Sequence, residues 1–160
     1  MGKTLVAYFS ATGTTERLAR TLAEVAGADL HGIEPARPYT AADLNWHDAQ
    51  SRSSVEMNDP ASRPAIANRV TDMGRYDTVF VGFPIWWYVA PTIINAFLEA
   101  YDFSGKTVIP FATSGGSGMG KTDDVLRNCC ASDTRWKPGR CFHGGADAPA
   151  LRAWVEGLGL

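Results

Sequence analysis

At 160 residues, 45% hydrophobic and 20% charged, with a formal net charge of −2, the chain has the make-up of an ordinary globular protein of a single domain spanning residues 1–160. Scattered Lys and Arg leave no electrostatic footprint for nucleic acid or anionic lipid, and no apolar run approaches transmembrane length. The expectation is therefore no nucleic acid, no membrane and a cytoplasmic location, where Cys129, Cys130 and Cys141, lacking any C-x-x-C pair, would be free thiols.

In chain order, the apolar run Leu5-Val6-Ala7-Tyr8-Phe9 predicts a buried strand. Ser10-Ala11-Thr12-Gly13-Thr14-Thr15 then leads into Leu18, Ala19, Leu22, Ala23 and Ala26 at helical spacing, with Gly27 to end the helix and a weaker strand over 28–34. The stretch 35–64 is polar and carries Pro35, Pro38, Pro60 and Pro64, so it predicts a long connection with at most a short helix near 42–50. Ile66, Val70 and Met73 suggest a helix. Val79-Phe80-Val81-Gly82-Phe83 and Thr107-Val108-Ile109-Pro110-Phe111-Ala112 are continuous apolar runs, as central parallel strands should be. Between them, Ile93, Ile94, Phe97, Leu98 and Tyr101 predict a helix begun near Pro91. Pro138 and Gly139 allow only a short edge strand over 135–142, and Leu151, Trp154, Val155 and Leu158 after Asp147 predict a final helix. Five strands alternating with helices argue for a doubly wound α/β sheet with helices on both faces, whose ligands sit beyond the carboxyl ends of the strands.

Three such ends carry chemistry. The first, residues 10–15, offers hydroxyls, backbone N–H groups and the positive end of a helix dipole, which suits a phosphate monoester held by neutral donors; equally, Thr14 or Thr15 could simply cap the helix. The second, Pro84-Ile85-Trp86-Trp87-Tyr88, would form an aromatic wall, or else anchor the loop on the core or form a subunit interface. The third, Thr113-Ser114-Gly115-Gly116-Ser117-Gly118, would let a flat ring approach the backbone. Residues 115–122 also satisfy the G-x-x-x-x-G-K-[ST] pattern of a phosphate-binding loop, but no apolar run ending in Asp follows, and only 38 residues remain after Thr122, too few for a nucleotide-hydrolysing core. His31, His47 and His143 have no companions at metal-ligand spacing, so no metal is expected. Asp43, Asp48, Glu56 and Asp59 read as a solvated surface, and adjacent Cys129 and Cys130 as a helix end.

On Ser10-x-Thr12-Gly13-x-Thr15, Pro84-Ile85-Trp86-Trp87, the run 113–118 and the closing Trp154-Val155-Glu156-Gly157-Leu158-Gly159-Leu160, the chain resembles the flavodoxin family, in particular its short-chain members, over nearly its whole length. The resemblance implies noncovalent FMN, with Ser10, Thr12, Gly13, Thr14 and Thr15 at the phosphate. Pro84, Ile85, Trp86, Trp87 and Tyr88 would face the isoalloxazine or a substrate beside it, and Thr113, Ser114, Gly115, Gly116 and Gly118 would line its other edge. Electron-carrying flavodoxins usually place an aromatic in the third loop and surround the flavin with acidic residues. Here that loop has no aromatic, and neither 84–88 nor 113–120 contains a carboxylate. The expectation is an FMN-dependent oxidoreductase that takes electrons from a nicotinamide donor and reduces a small acceptor such as a quinone or nitro compound. The alternatives are a one-electron carrier serving a redox partner protein and, more remotely, an ATP binder through residues 115–122. Oligomeric state is left open.

Overall fold

The computed structural model describes residues 3–86, 89–114, 118–120, 122–143 and 146–160. Trp87, Tyr88, Gly115, Gly116, Ser117 and Lys121, which figure in the sequence reading, lie outside them.

The strands are β1 (Lys3–Tyr8), β2 (Asp29–Gly32), β3 (Tyr76–Pro84), β4 (Thr107–Ser114), β5 (Arg135–Trp136) and β6 (Arg140–His143). All pairings between them are parallel, in the order β2-β1-β3-β4-β5, with β6 also on β4. β5 and β6 are two halves of the expected fifth strand. Thr107 and Val108 face Arg135 and Trp136, whereas Phe111 faces Arg140, so Lys137, Pro138 and Gly139 place one extra residue opposite Ile109 and Pro110. Proline supplies no ladder donor, and the strand breaks there.

The helices are α1 (Thr14–Ala26), α2 (Arg52–Met57), α3 (Thr92–Glu99), α4 (Thr122–Arg127) and α5 (Ala148–Gly157). Because strand side chains alternate between faces, the runs expected to be doubly buried divide between two cores. Val6, Phe80, Ile109 and Phe111 pack under α1 and α5 with Leu18, Leu22 and Leu151. Leu5, Ala7, Phe9, Val79, Val81, Phe83 and Val108 pack on the other face with Ile93, Ile94, Phe97 and Leu98 of α3 and Leu126 of α4. The fold class expected from the sequence is the one observed. Gly82 marks how tightly the first core is filled: a Cβ there would sit 2.2 Å from the Phe111 ring.

Of the two helices the sequence allowed between β2 and β3, one is displaced and the other absent. Residues 41–50 form turns, and the helix comes later, where the Ser51 hydroxyl accepts the Ser54 N–H as the cap of α2. Residues 66–72 are not helical, and the backbone at the start of this stretch pairs elsewhere. Ala36 N–H donates to the Ala65 carbonyl at 2.8 Å and Ala67 N–H to Glu34 at 2.7 Å, so 65–67 runs antiparallel to 34–36. The Asn68 amide fixes the crossing, its Oδ1 accepting from Glu34 N–H and its Nδ2 donating to the Gly32 carbonyl. Only a short 3-10 turn, Met73–Arg75, precedes β3.

Candidate functional site

The strand order reverses direction between β1 and β3: the chain leaves β1 toward β2 on one side and later builds β3 and β4 on the other. Their carboxyl ends diverge at that point and leave a crevice, the general ligand position of doubly wound sheets. Phe9 N–H donates to the Gly82 carbonyl at 2.9 Å and holds the first loop to β3 up to the mouth of this crevice.

The first loop is shaped by its own side chains. The Ser10 hydroxyl oxygen accepts the Gly13 N–H at 3.0 Å, closing a tight turn that Gly13 completes at φ +94°, a left-handed conformation that favours glycine. Gly13 is the N-cap of α1, so the capping position carries no side chain to accept from the first-turn N–H groups. Neither Thr14 nor Thr15 acts as the cap. Thr12 is exposed, Ser10 and Thr14 are half-buried, and Thr15 is 2% exposed. The result is an uncapped helix N-terminus fringed by neutral hydroxyls, an arrangement suited to an anion.

Thr15 also reaches across to the third loop. Its Oγ1 lies 2.7 Å from Oγ1 of Thr113, itself 4% exposed, at the end of β4. The Thr113 carbonyl accepts the Ile85 N–H at 2.9 Å. One residue therefore joins the first, second and third loops, which sequence reasoning had placed separately in the same crevice.

In the second loop, Pro84 closes β3 opposite Thr113, and Trp86 and Val89 exchange two backbone hydrogen bonds. The Trp86 indole packs edge-on against Phe9 and Tyr39, with ring centroids 5.9 and 5.5 Å apart, and Phe9 and Tyr39 are 5.5 Å apart. This three-ring cluster gives Trp86 the loop-anchoring role that the sequence left open. Trp87, Tyr88, Gly115 and Gly116 lie outside the described residues; Ser114 ends β4 half-buried, and Gly118 is exposed.

Tyr39 was missed by the sequence reading, as was the group that holds it. Its hydroxyl donates to Glu56 Oε1 at 2.5 Å, the Arg52 guanidinium lies 3.8 Å above its ring, and Arg52 Nε pairs with Glu56 Oε2 at 2.9 Å. The Arg52 and Glu56 side chains are only 10% and 13% exposed. Glu56 is thus no solvated surface carboxylate: it is an internal anchor of the 35–64 connection. Burial, then the adjacent carboxylate, pushes the Tyr39 phenol well above its ordinary range. By contrast Asp43, Asp48 and Asp59 make local turns, accepting from Thr40, Gln50 and Ala61 N–H respectively.

The P-loop-like run ends on Thr122, which is fully buried and donates its hydroxyl to the Met119 carbonyl at 2.5 Å. In a nucleotide-hydrolysing loop that hydroxyl would be turned to a magnesium ion. Cys129 and Cys130 follow α4, both half-buried. Burial raises the Cys129 thiol and pushes Cys130 up to about 12, so neither is an activated nucleophile. Among the described residues no cluster of His, Cys, Asp and Glu could hold a metal, and no helix is long and apolar enough to cross a membrane.

The fold and the crevice define a doubly wound α/β protein with a helix N-terminus free of a side-chain cap at its topological switch point. A flavodoxin family model matches residues 3–158, and the chain belongs to that family. It is similar to a candidate flavoprotein from Bacteroides eggerthii, at 52% identity and a TM-score of 0.93 over 100% of this chain and 99% of that one. A second, from Bacteroides uniformis, is 50% identical with a TM-score of 0.91 over 97% and 98% of the two chains. A flavoprotein from Lactobacillus acidophilus, solved in complex with FMN, shares the fold at 19% identity and a TM-score of 0.71 over the full length of both chains. No curated protein shows significant similarity to this chain.

Proposed function

We propose that the protein binds FMN and uses it to reduce a small, flat acceptor, a quinone or nitro compound, with electrons from a nicotinamide donor. The observation that carries the cofactor assignment is the α1 N-terminus: a glycine cap without a side chain, next to the hydroxyls of Ser10, Thr12 and Thr14, at the switch point of a flavodoxin-family sheet. The donor set fits a phosphate monoester. Gly13 keeps the first-turn N–H groups clear, and the Ser10 hydroxyl, which accepts from Gly13, keeps its own proton to donate.

Bound flavin supplies the hydride or single-electron chemistry; the chain supplies position and electrostatics. Trp86, pinned by Phe9 and Tyr39, holds the second loop, from which Trp87 and Tyr88 would face the isoalloxazine or a substrate beside it. The reductase reading is supported by composition: neither 84–88 nor 113–120 contains a carboxylate, so these segments offer little repulsion to an anionic reduced cofactor or an approaching anion. The buried, internally bonded Thr122 hydroxyl gives no support to ATP binding.

The test is a visible spectrum of the purified protein with added FMN, followed by NAD(P)H oxidation in the presence of a quinone. Tight FMN binding, steady turnover and a KM for quinone that rises in Trp87→Ala more than FMN affinity falls are expected. Binding without quinone turnover, with electrons passed only to a protein acceptor, would replace the reductase by a carrier.

A further inference from the structure

The Thr15–Thr113 pair joins residues 98 positions apart, and both side chains are buried. Two hydroxyls 2.7 Å apart have two protons but room for only one between the oxygens. Either Thr15 donates to Thr113, and Thr15 has no proton left for any other partner, or Thr113 donates to Thr15, and the Thr15 proton is released. Thr15 sits in the first turn of α1, two residues after the glycine cap. An anion at that helix end selects the second arrangement, because a hydrogen bond to a charged acceptor is roughly twice as strong as a neutral one. The donated bond from Thr113 then polarises the Thr15 hydroxyl in the same sense.

We propose that Thr113 is a positioning residue for the phosphate loop, donating to Thr15 Oγ1 so that the Thr15 hydroxyl is committed to the cofactor phosphate; this rests on the FMN assignment above. Thr113 is well placed to stay fixed while doing so. Its backbone lies in the β3–β4 ladder opposite Pro84, and its carbonyl accepts the Ile85 N–H, so its side chain leaves a rigid strand end. This gives Thr113 a task at the phosphate end of the cofactor, where the family resemblance alone would put it at the edge of the ring system.

The experiment compares FMN and riboflavin, which differ only in the phosphate, by fluorescence titration against wild type, Thr113→Val, Thr113→Ser, Thr15→Val and the double valine variant. Thr113→Val should weaken FMN about fivefold, the effect of one net neutral hydrogen bond, and leave riboflavin unchanged. Thr113→Ser keeps the donor and should restore FMN binding, which separates loss of the hydroxyl from any packing defect. Because Thr113 acts through Thr15, the double variant should bind FMN no more weakly than Thr15→Val alone. Equal losses for FMN and riboflavin in Thr113→Val, or additive losses in the double variant, would overturn the proposal. Failure of wild type to bind either flavin would instead overturn the cofactor assignment on which it rests.

Discussion

The Tyr39 hydroxyl donates to Glu56 across 2.5 Å, a bond inside the long 35–64 connection that ties α2 to a ring of the aromatic cluster beneath the second loop. Arg52 completes the unit from one helical turn away, pairing with Glu56, stacking over Tyr39 and donating to the Arg37 carbonyl at 2.6 Å. A connection rich in proline and polar residues has little apolar surface of its own to bury. What fixes it is a nearly buried charge pair with each of its partners satisfied.

Removing Glu56 leaves the Arg52 charge largely desolvated and the Tyr39 hydroxyl without its acceptor. Glu56→Ala should therefore destabilise the fold by about 3 kcal/mol, as expected for breaking a buried ion pair from one side. Tyr39→Phe, which keeps the ring and the Arg52–Glu56 pair, should cost about 1.5 kcal/mol. Urea unfolding measures both. Equal effects from the two substitutions would show that the ion pair adds nothing beyond the phenol.

Three phenols are shifted the same way. Burial is the main cause for Tyr8, Tyr39 and Tyr76, aided by Glu16, Glu56 and Asp29 respectively. A folded-state value above the unfolded one contributes stability that is complete below the unfolded pKa of about 10 and is lost as pH rises through the higher folded value. Stability should thus fall on the alkaline side, starting near the ordinary tyrosine range. In an absorbance titration of the native protein, Tyr39 should ionise last, and Tyr39→Phe should remove that late component. A native titration in which every tyrosine ionises at its ordinary pKa would contradict the expectation.

Gly82 and Phe111 face each other across the β3–β4 ladder. Gly82→Ala would drive a methyl group into the Phe111 ring, whose nearest atoms lie 2.2 and 2.3 Å from the required Cβ position, in a core that includes Ile109, Phe142 and Leu151. The expected cost is about 3 kcal/mol, the upper part of the range for overpacking. Combining it with Phe111→Leu should recover part of that loss, since the smaller side chain vacates the clash. A double variant no more stable than Gly82→Ala would place the penalty in the glycine backbone instead.

Much of the sheet is legible in the sequence because strands buried on both faces are written as unbroken apolar runs, as in 79–83 and 107–112. The same clarity extends to α3 and α5, where Pro91 and Asp147 mark the starts and Asp147 accepts from Ala150 N–H at 3.0 Å. Ile66, Val70 and Met73 mislead because all three turn toward the core at helical spacing while the backbone of 65–67 pairs with 34–36. Tertiary pairing overrides the period there. In the candidate site, the local features of residues 10–15 could be read directly, since turn and cap depend on neighbours in sequence. The Thr15–Thr113 contact could not: nothing in either segment specifies a partner 98 residues away. Arg52 and Glu56 did carry a usable signal, an i,i+4 pair of opposite charge, but such pairs normally lie on exposed helix faces.

The two thiols after α4 offer a check on the electrostatics away from the crevice. Cys130 is pushed up to about 12, first by burial and then by Cys129 and Glu99; Cys129 is raised by burial and Glu99. Only the thiolate reacts, so alkylation by iodoacetamide near neutral pH should be slower for both than in the unfolded chain, and at least roughly tenfold slower for Cys130. Peptide mass spectrometry over time follows each site separately. A native Cys130 that reacts as fast as the denatured one would show that its surroundings are not as dry as the packing implies.

The phosphate loop gives the most direct prediction. Gly13 adopts φ +94°, and a Cβ there would meet nothing within 4 Å, so Gly13→Ala carries only the backbone penalty of a left-handed residue, on the order of 1–2 kcal/mol. That strain is relieved if the turn opens, which breaks the Ser10–Gly13 bond and turns the first-turn N–H groups away from a common centre. Gly13→Ala should therefore weaken FMN more than riboflavin. Thr12→Ala, which removes an exposed hydroxyl and leaves the turn intact, should cost on the order of 1.5–3 kcal/mol of FMN binding, as for a hydrogen bond to a charged group, and little for riboflavin. Titrating both flavins into both variants decides the matter. If riboflavin suffers as much as FMN, the anion is held elsewhere and α1 merely supports the crevice.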